Sequence, residues 1–165
     1  MRRNLWLSVV LIFAVVSDQL SKFVVDSTFD LYDSCSVLGD YLRLTYIRNS
    51  GAAFGISFGS SKVMFAVTVI VIILLVYLYL KGTLRPGHII GKIAVIMVLG
   101  GAIGNLIDRI RMGEVIDFID MGIGLHRWPI YNFADIYVTI GMFILFFIYT
   151  IQKDGSEEPL TQTPG

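Results

Sequence analysis

Cys35 is the single cysteine in 165 residues, which excludes an internal disulfide and any multi-cysteine metal cluster. Charge is scarce too: 16% of residues are Asp, Glu, Lys or Arg, against about 25% in soluble domains, too few to clothe a water-facing surface. Neither sign is in excess, because 13 Lys+Arg meet 13 Asp+Glu. No net basic field therefore draws phosphates, and no nucleic-acid partner is expected. P-loop and dinucleotide fingerprints are missing, as are internal repeats and low-complexity tracts. His88 and His126 fall in different connections, so a two-histidine metal site has no basis. Cys35, Ser17, Ser21 and Ser50 have no evident base to activate them. Neither a metal nor an organic cofactor is expected.

What the chain has in quantity is apolar side chain, 55% of residues, gathered into runs. Residues 63–80 carry no charge. At about 1.5 Å per residue they span about 27 Å, close to the hydrocarbon thickness of a bilayer. Residues 136–151 form an aromatic-rich second run, and 89–107 a third, interrupted only by Lys92. A fourth, 5–16, leads straight into Asp18, Gln19 and Lys22. Arg2 and Arg3 precede it as they would in a signal peptide, but no small-x-small cleavage site follows, so it is read as a retained helix. The expected fold class is an all-α polytopic membrane protein. Its four transmembrane helices lie near 5–25, 63–80, 89–107 and 135–151, within a single membrane-embedded domain over 1–153, followed by a disordered cytoplasmic tail over 154–165.

Orientation follows from the basic residues of the short connections. Arg2, Arg3, Lys81, Arg85, Lys92 and Lys153 put both termini and the second connection in the cytoplasm. The two longer connections then face outward and hold Asp26, Asp30, Asp33, Asp40, Glu114, Asp117 and Asp120. Within them, alternation over 42–48 and the β-prone run 115–119 predict two strands of a small sheet on the outer membrane surface. Residues 49–55, Asn-Ser-Gly-Ala-Ala-Phe-Gly, are small enough to let backbone approach a ligand, or simply to turn.

Ionisable groups at a bilayer cost about 2.5–3.5 kcal/mol each on insertion scales, so each asks for a reason. Asp18 and Lys22, at i and i+4, share a helix face and can pair, either as a snorkelling bridge that closes the helix end or in a functional role. Gly100, Gly101 and Gly104 give the small-xxx-small spacing of a close helix contact. Asn105, Asp108 and Arg109 follow directly and read as a structural polar network. Asp117 stands among Val115, Ile116, Phe118 and Ile119, while Asp135 follows Asn132, Phe133 and Ala134. Neither has a basic residue within four positions, so each should find a non-basic partner. Eighteen residues apart, they meet only if the Trp128-Pro129 turn folds the segment back. Two aspartates in one poorly hydrated site cannot easily both ionise, which leaves one acid and one base near neutral pH. Spacing alone leaves other readings open: Asp135 as a helix cap, Asp117 and Asp120 as solvated loop charges, a proton path through Asp18, Asp108, Asp117 and Asp135, or a non-enzymatic scaffold.

Five blocks, in order, resemble the signatures of the bacterial lipoprotein signal peptidases, also called signal peptidase II. They are Asp18-Gln19-Leu20-Ser21-Lys22, then Asn49-Ser50-Gly51-Ala52-Ala53-Phe54, then 100–109 (GGAIGNLIDR), then Val115-Ile116-Asp117-Phe118, and finally 128–135 (WPIYNFAD). Ser21 stands where the family commonly has threonine, and Tyr131 where phenylalanine is usual. The resemblance implies a four-helix aspartyl endopeptidase of the bacterial inner membrane, with a small extracytoplasmic β-cradle and an active site toward that face. Its implied substrate is a diacylglyceryl-modified prolipoprotein, cut on the amino side of the lipidated cysteine. By motif position the catalytic pair is Asp117 and Asp135. Asp18, Lys22, Asn49, Gly101, Asn105, Asp108, Arg109, Asn132 and Ala134 fall at substrate-binding or site-supporting positions. Membrane lipids and the cyclic peptide inhibitor globomycin are the other implied partners. Asn105 and Asn132 are expected to meet charge on the tetrahedral intermediate.

Overall fold

A computed structural model describes residues 5–53, 56–57, 61–81 and 89–154. Four helices long and apolar enough to cross a membrane are among them. They are α1 (Leu5–Thr28), α2 (Ser61–Lys81), α3 (Ile89–Met112) and α4 (Phe133–Asp154). Arg2, Arg3, Phe54, Gly55, Arg85, His88 and the tail from residue 155 onward lie outside the described residues.

The third helix is the hub, packing against each of the other three. Its glycines set that role. A Cβ on Gly100 would sit 2.8 Å from the Ala14 Cβ of α1, and one on Gly101 would run into the Ala134 carbonyl oxygen of α4. The small-residue stripe thus serves two neighbours on two faces. By contrast, α2 is the most apolar of the four, with mean hydropathy 2.9, and buries none of its residues. It leans on α3 and leaves the rest of its surface to lipid.

Helix α1 carries Asp18 and Lys22 within it, as expected, and ends at Thr28 rather than near 25, while α3 runs past the expected 107 through Asp108 to Met112. Hydropathy ends a span at the first charge; the backbone need not, because these polar side chains find partners inside the bundle. What does stop α3 is Gly113, at φ 80°, whose N–H donates to the Arg109 carbonyl at 3.1 Å. This is the left-handed cap that glycine adopts without strain.

Above the helices the two expected strands pair antiparallel: β2 (Leu42–Asn49) against β5 (Val115–Ile123). With β1 (Ser34–Leu38) and β6 (His126–Arg127) they make a sheet in the order β1-β2-β5-β6, and β3 (Ala52–Ala53) and β4 (Ile56–Ser57) form a separate hairpin. The two-residue alternation of β5 sorts its side chains. Ile116 and Phe118 join Val25 and Tyr46 in an apolar core under the sheet, while Val115 and Asp117 face the opposite way into a cleft. A second apolar core, Ala94, Val95, Val98 and Leu145, lies further down α3 and α4. Between the two cores is a polar layer.

Candidate active site

The polar layer begins with Lys22, 1% exposed. Its ammonium donates to Asp18 Oδ2 at 2.9 Å, Asp108 Oδ2 at 2.8 Å and Asn105 Oδ1 at 2.9 Å. Three donors meet three acceptors, so the buried cation is fully satisfied. The i,i+4 pair expected on α1 is therefore present, but as the centre of a buried cluster rather than a snorkelling bridge at a helix end. Asp108 also accepts from the Ile116 N–H at 3.3 Å, tying α3 to β5. Gln19, to which the sequence reading gave no role, donates to Asp108 Oδ1 at 3.0 Å and to the Gly104 carbonyl at 3.1 Å. Its place inside the first signature block was the available signal.

The second half of the layer is the start of α4. Asn132 is the N-cap: its Oδ1 accepts from the Asp135 N–H at 3.0 Å, and Asp135 Oδ2 accepts from the Asn132 N–H at 3.2 Å. This reciprocal pair is a capping box. Asp135, read from sequence as a possible cap, is thus the third residue of the helix, and the cap itself is Asn132. Asp18 completes the end, its Oδ1 accepting from the Ala134 N–H at 2.9 Å. Ala134 is fully buried against the glycines of α3, and a Cβ on Gly104 would meet both it and the Asp18 carboxylate. Side chains must be small there for α4 to begin where it does.

Asp117 and Asp135 come together through this cap. Downstream of β6 the chain turns back along β5, with Ile119 and Tyr131 exchanging backbone bonds of 2.7 and 3.1 Å. That return brings Asn132 to Asp117, and its Nδ2 donates to Asp117 Oδ1 at 2.6 Å. Asn49, at the end of β2, donates to Asp117 Oδ2 at 2.9 Å, and its own Oδ1 is held by the Gly51 N–H at 3.1 Å. Asn105 donates to Asp135 Oδ1 at 2.9 Å. Amides, not cations, hold both carboxylates, as the lack of nearby basic residues predicts. Burial first, and then the charge of Asp135, push the Asp117 carboxyl up to about 7, against the amides of Asn49 and Asn132 that favour its charged form. Neither Asp117 nor Asp120 is a solvated loop charge: both are buried, and Asp120 accepts from Thr45 at 2.9 Å and from Arg127 at 2.8 Å.

Both aspartates line one cleft of about 1110 Å³, whose walls are α2 (Met64, Val67, Val71), α3 and α4 and whose roof is the β5–β6 hairpin. Arg109 lines it as well, donating to Thr68 Oγ1 at 3.5 Å and to the Asn105 carbonyl at 3.3 Å, and enters no ion pair among the described residues. Of the two asparagines expected to meet an intermediate, Asn132 directs its Nδ2 to Asp117, Asn105 and the Ile116 carbonyl, whereas Asn105 spends one of its two Nδ2 hydrogens, on Asp135. Cys35 is exposed on β1, and the Ser21 hydroxyl donates to the Asp18 carbonyl at 2.7 Å.

Four membrane-spanning helices under a small sheet, with two aspartates sharing an apolar cleft, define a polytopic membrane protein with a paired-carboxylate site. The family model Peptidase_A8, signal peptidase (SPase) II, matches residues 10–151, and the chain belongs to that family of aspartic peptidases. It is 38% identical over 149 residues to the lipoprotein signal peptidases of Staphylococcus aureus strains JH9 and Newman, covering 90% of this chain and 89% of theirs. Its fold resembles a bacterial membrane enzyme solved by the in meso method at 2.3 Å resolution, with TM-score 0.77 and 34% identity over 96% of this chain and 94% of that one. A second such structure, at 1.9 Å resolution, gives TM-score 0.73 at 34% identity, over 87% and 91%. Membership of a peptidase family sets aside the proton-path and scaffold readings.

Proposed function

We propose that this peptidase removes the signal peptide from prolipoproteins that already carry diacylglycerol on the lipobox cysteine, cutting on the amino side of that cysteine. The observation that carries the mechanism is the pair of aspartates, Asp117 buried and Asp135 half-buried, joined through Asn132 at the head of an apolar cleft. One aspartate takes a proton from water, whose oxygen attacks the scissile carbonyl carbon. The other gives its proton to the departing nitrogen as the C–N bond breaks. The products are a signal peptide with a new carboxylate and a lipidated cysteine with a free amino group. One proton shared by two neighbouring carboxylates supplies both roles near neutral pH, and the high proton affinity of Asp117 supports this. Arg109, in the cleft and outside any ion pair among the described residues, meets the charge that develops on the carbonyl oxygen.

The remaining residues work through these. Lys22 fixes Asn105, which holds Asp135; Asp18 and Asp108 neutralise Lys22; Asn49 and Asn132 hold Asp117; Gly101 and Ala134 let α3 and α4 approach. The apolar walls suit acyl chains that stay in lipid while the peptide bond reaches the aspartates, and globomycin would block by sitting between them. We place the enzyme in the bacterial inner membrane with both termini cytoplasmic and the site at the extracytoplasmic face, on the distribution of basic residues. The test is a gel-shift cleavage assay in detergent with a diacylglyceryl-modified prolipoprotein. Wild type should cleave and Asp117→Asn and Asp135→Asn should not, while both variants keep wild-type helix content. Turnover by both variants would overturn the pair.

A further inference from the structure

The β5–β6 hairpin ends in a two-residue loop, Gly124 and Leu125, closed by the Ile123–His126 pair. Gly124 has φ 58°, the left-handed conformation such a turn demands of its first residue. The next position, which in a water-facing turn goes to a polar residue, is Leu125, and it is 98% exposed. Its neighbours Ile123 and Trp128 are 73% and 63% exposed. Tyr41, whose carbonyl accepts from the Gly122 N–H at 3.0 Å, adds a half-exposed ring beside them.

This tip is not a loose end. Asp40 accepts from the Gly124 N–H at 2.5 Å, and Arg127 donates to the Asp40 carbonyl at 2.6 Å and to Asp120 Oδ1 at 2.8 Å. The Trp128 N–H donates to the Met121 carbonyl at 2.7 Å. An ion-paired base thus holds an apolar tip outward, polar behind and aliphatic in front. The tip is also continuous with the lipid-facing surface, since Ile123, Leu125 and Trp128 line the same cleft as Met64 and Val71 of α2 and Ile140 of α4. Tryptophan beside aliphatic side chains is the composition that settles at the boundary of headgroups and acyl chains.

We infer that the tip formed by Ile123, Leu125 and Trp128 inserts into the leaflet beside the cleft mouth, anchoring the sheet to the phospholipid surface. Rigid docking of the roof keeps the cleft open toward lipid at one fixed depth. The inference needs only that the four helices span a bilayer and does not depend on the cleavage reaction.

The chain has two tryptophans, so Trp6→Phe leaves Trp128 as sole reporter. The full-length variant is reconstituted into phosphatidylcholine vesicles with bromine placed shallow, mid-chain or deep on the acyl chains. Trp128 emission should fall by about half with the shallow probe and less with the deep one, and added iodide should quench it weakly. Adding Leu125→Asp should shift the emission to the red and abolish the bromine effect. Helix content and thermal midpoint in detergent should stay unchanged, because Leu125 touches solvent on nearly all sides. Strong iodide quenching with no bromine effect would overturn the inference and leave the tip in water. Quenching that appears only when a lipidated peptide with brominated chains is added would also overturn it, making the tip a seat for substrate. So would quenching relief that tracks protein concentration, which would assign it to a second copy.

Discussion

Removing the Asn49 side chain should move the pH profile of cleavage in a direction that the geometry fixes in advance. Asn49 donates to Asp117 Oδ2 at 2.9 Å, a bond worth most when Asp117 is charged. Hydrogen bonds to charged groups contribute about 1.5–3 kcal/mol, and Asn49 is half-buried, so the low end applies, about 1.5 kcal/mol. At about 1.4 kcal/mol per pH unit, Asn49→Ala should make Asp117 hold its proton about one pH unit higher than its present value near 7. The basic limb of kcat/KM, where the pair loses its last proton, therefore moves up by about one unit, and the acid limb moves less. The limbs belong to the pair rather than to one residue, so the readout is the shift and not its assignment. Asn49→Asp, which adds a like charge, should raise the limb further. The assay is initial-rate cleavage in detergent from pH 5 to pH 9. A basic limb that stays put, or moves down, would refute the claim that Asn49 acts on charged Asp117.

Lys22→Met leaves Asp18 and Asp108 buried without their shared cation and should cost about 3–5 kcal/mol, read as a collapse of the thermal midpoint in detergent. A midpoint near wild type would show that the cluster is not an ion pair at neutral pH. Gly101→Ala puts a methyl group against the Ala134 carbonyl and 2.8 Å from the Val138 Cγ2, which pushes α4 off α3 beside Asp135. Turnover should fall about 10²-fold with insertion and helix content retained; wild-type turnover would mean that the contact does not set the spacing of the site. Asn132→Ser keeps an acceptor for the Asp135 N–H but removes the donors to Asp117 and Asn105, so cleavage should fall about 10²-fold while amide exchange in the first turn of α4 stays slow. Rapid exchange with intact turnover would reverse the two roles.

Much of the architecture was legible along the chain because hydropathy accumulates locally. Four apolar runs marked four helices, alternation marked β2, and a short β-prone run marked β5. The absence of a basic neighbour at Asp117 and Asp135 pointed to non-basic partners, and the partners are amides. The end of α3 was less legible, since the helix continues through Asp108, a charge that only its neighbours satisfy. The hairpin of β3 and β4 had no alternation long enough to read.

By itself the sequence determined which residues are out of place: an aspartate inside an apolar strand and a lysine inside an apolar helix. Only the tertiary structure decided what each one meets. It is the return of residues 128–132 along β5 that makes Asn132 both the cap of α4 and the amide on Asp117, and the close approach of α1 and α3 that encloses Lys22 between two carboxylates. The physical reason is that hydropathy and period are properties of neighbours in the chain. The proton affinity of a buried carboxylate depends on which groups exclude water from it and which donors reach it, and here those groups come from three other elements.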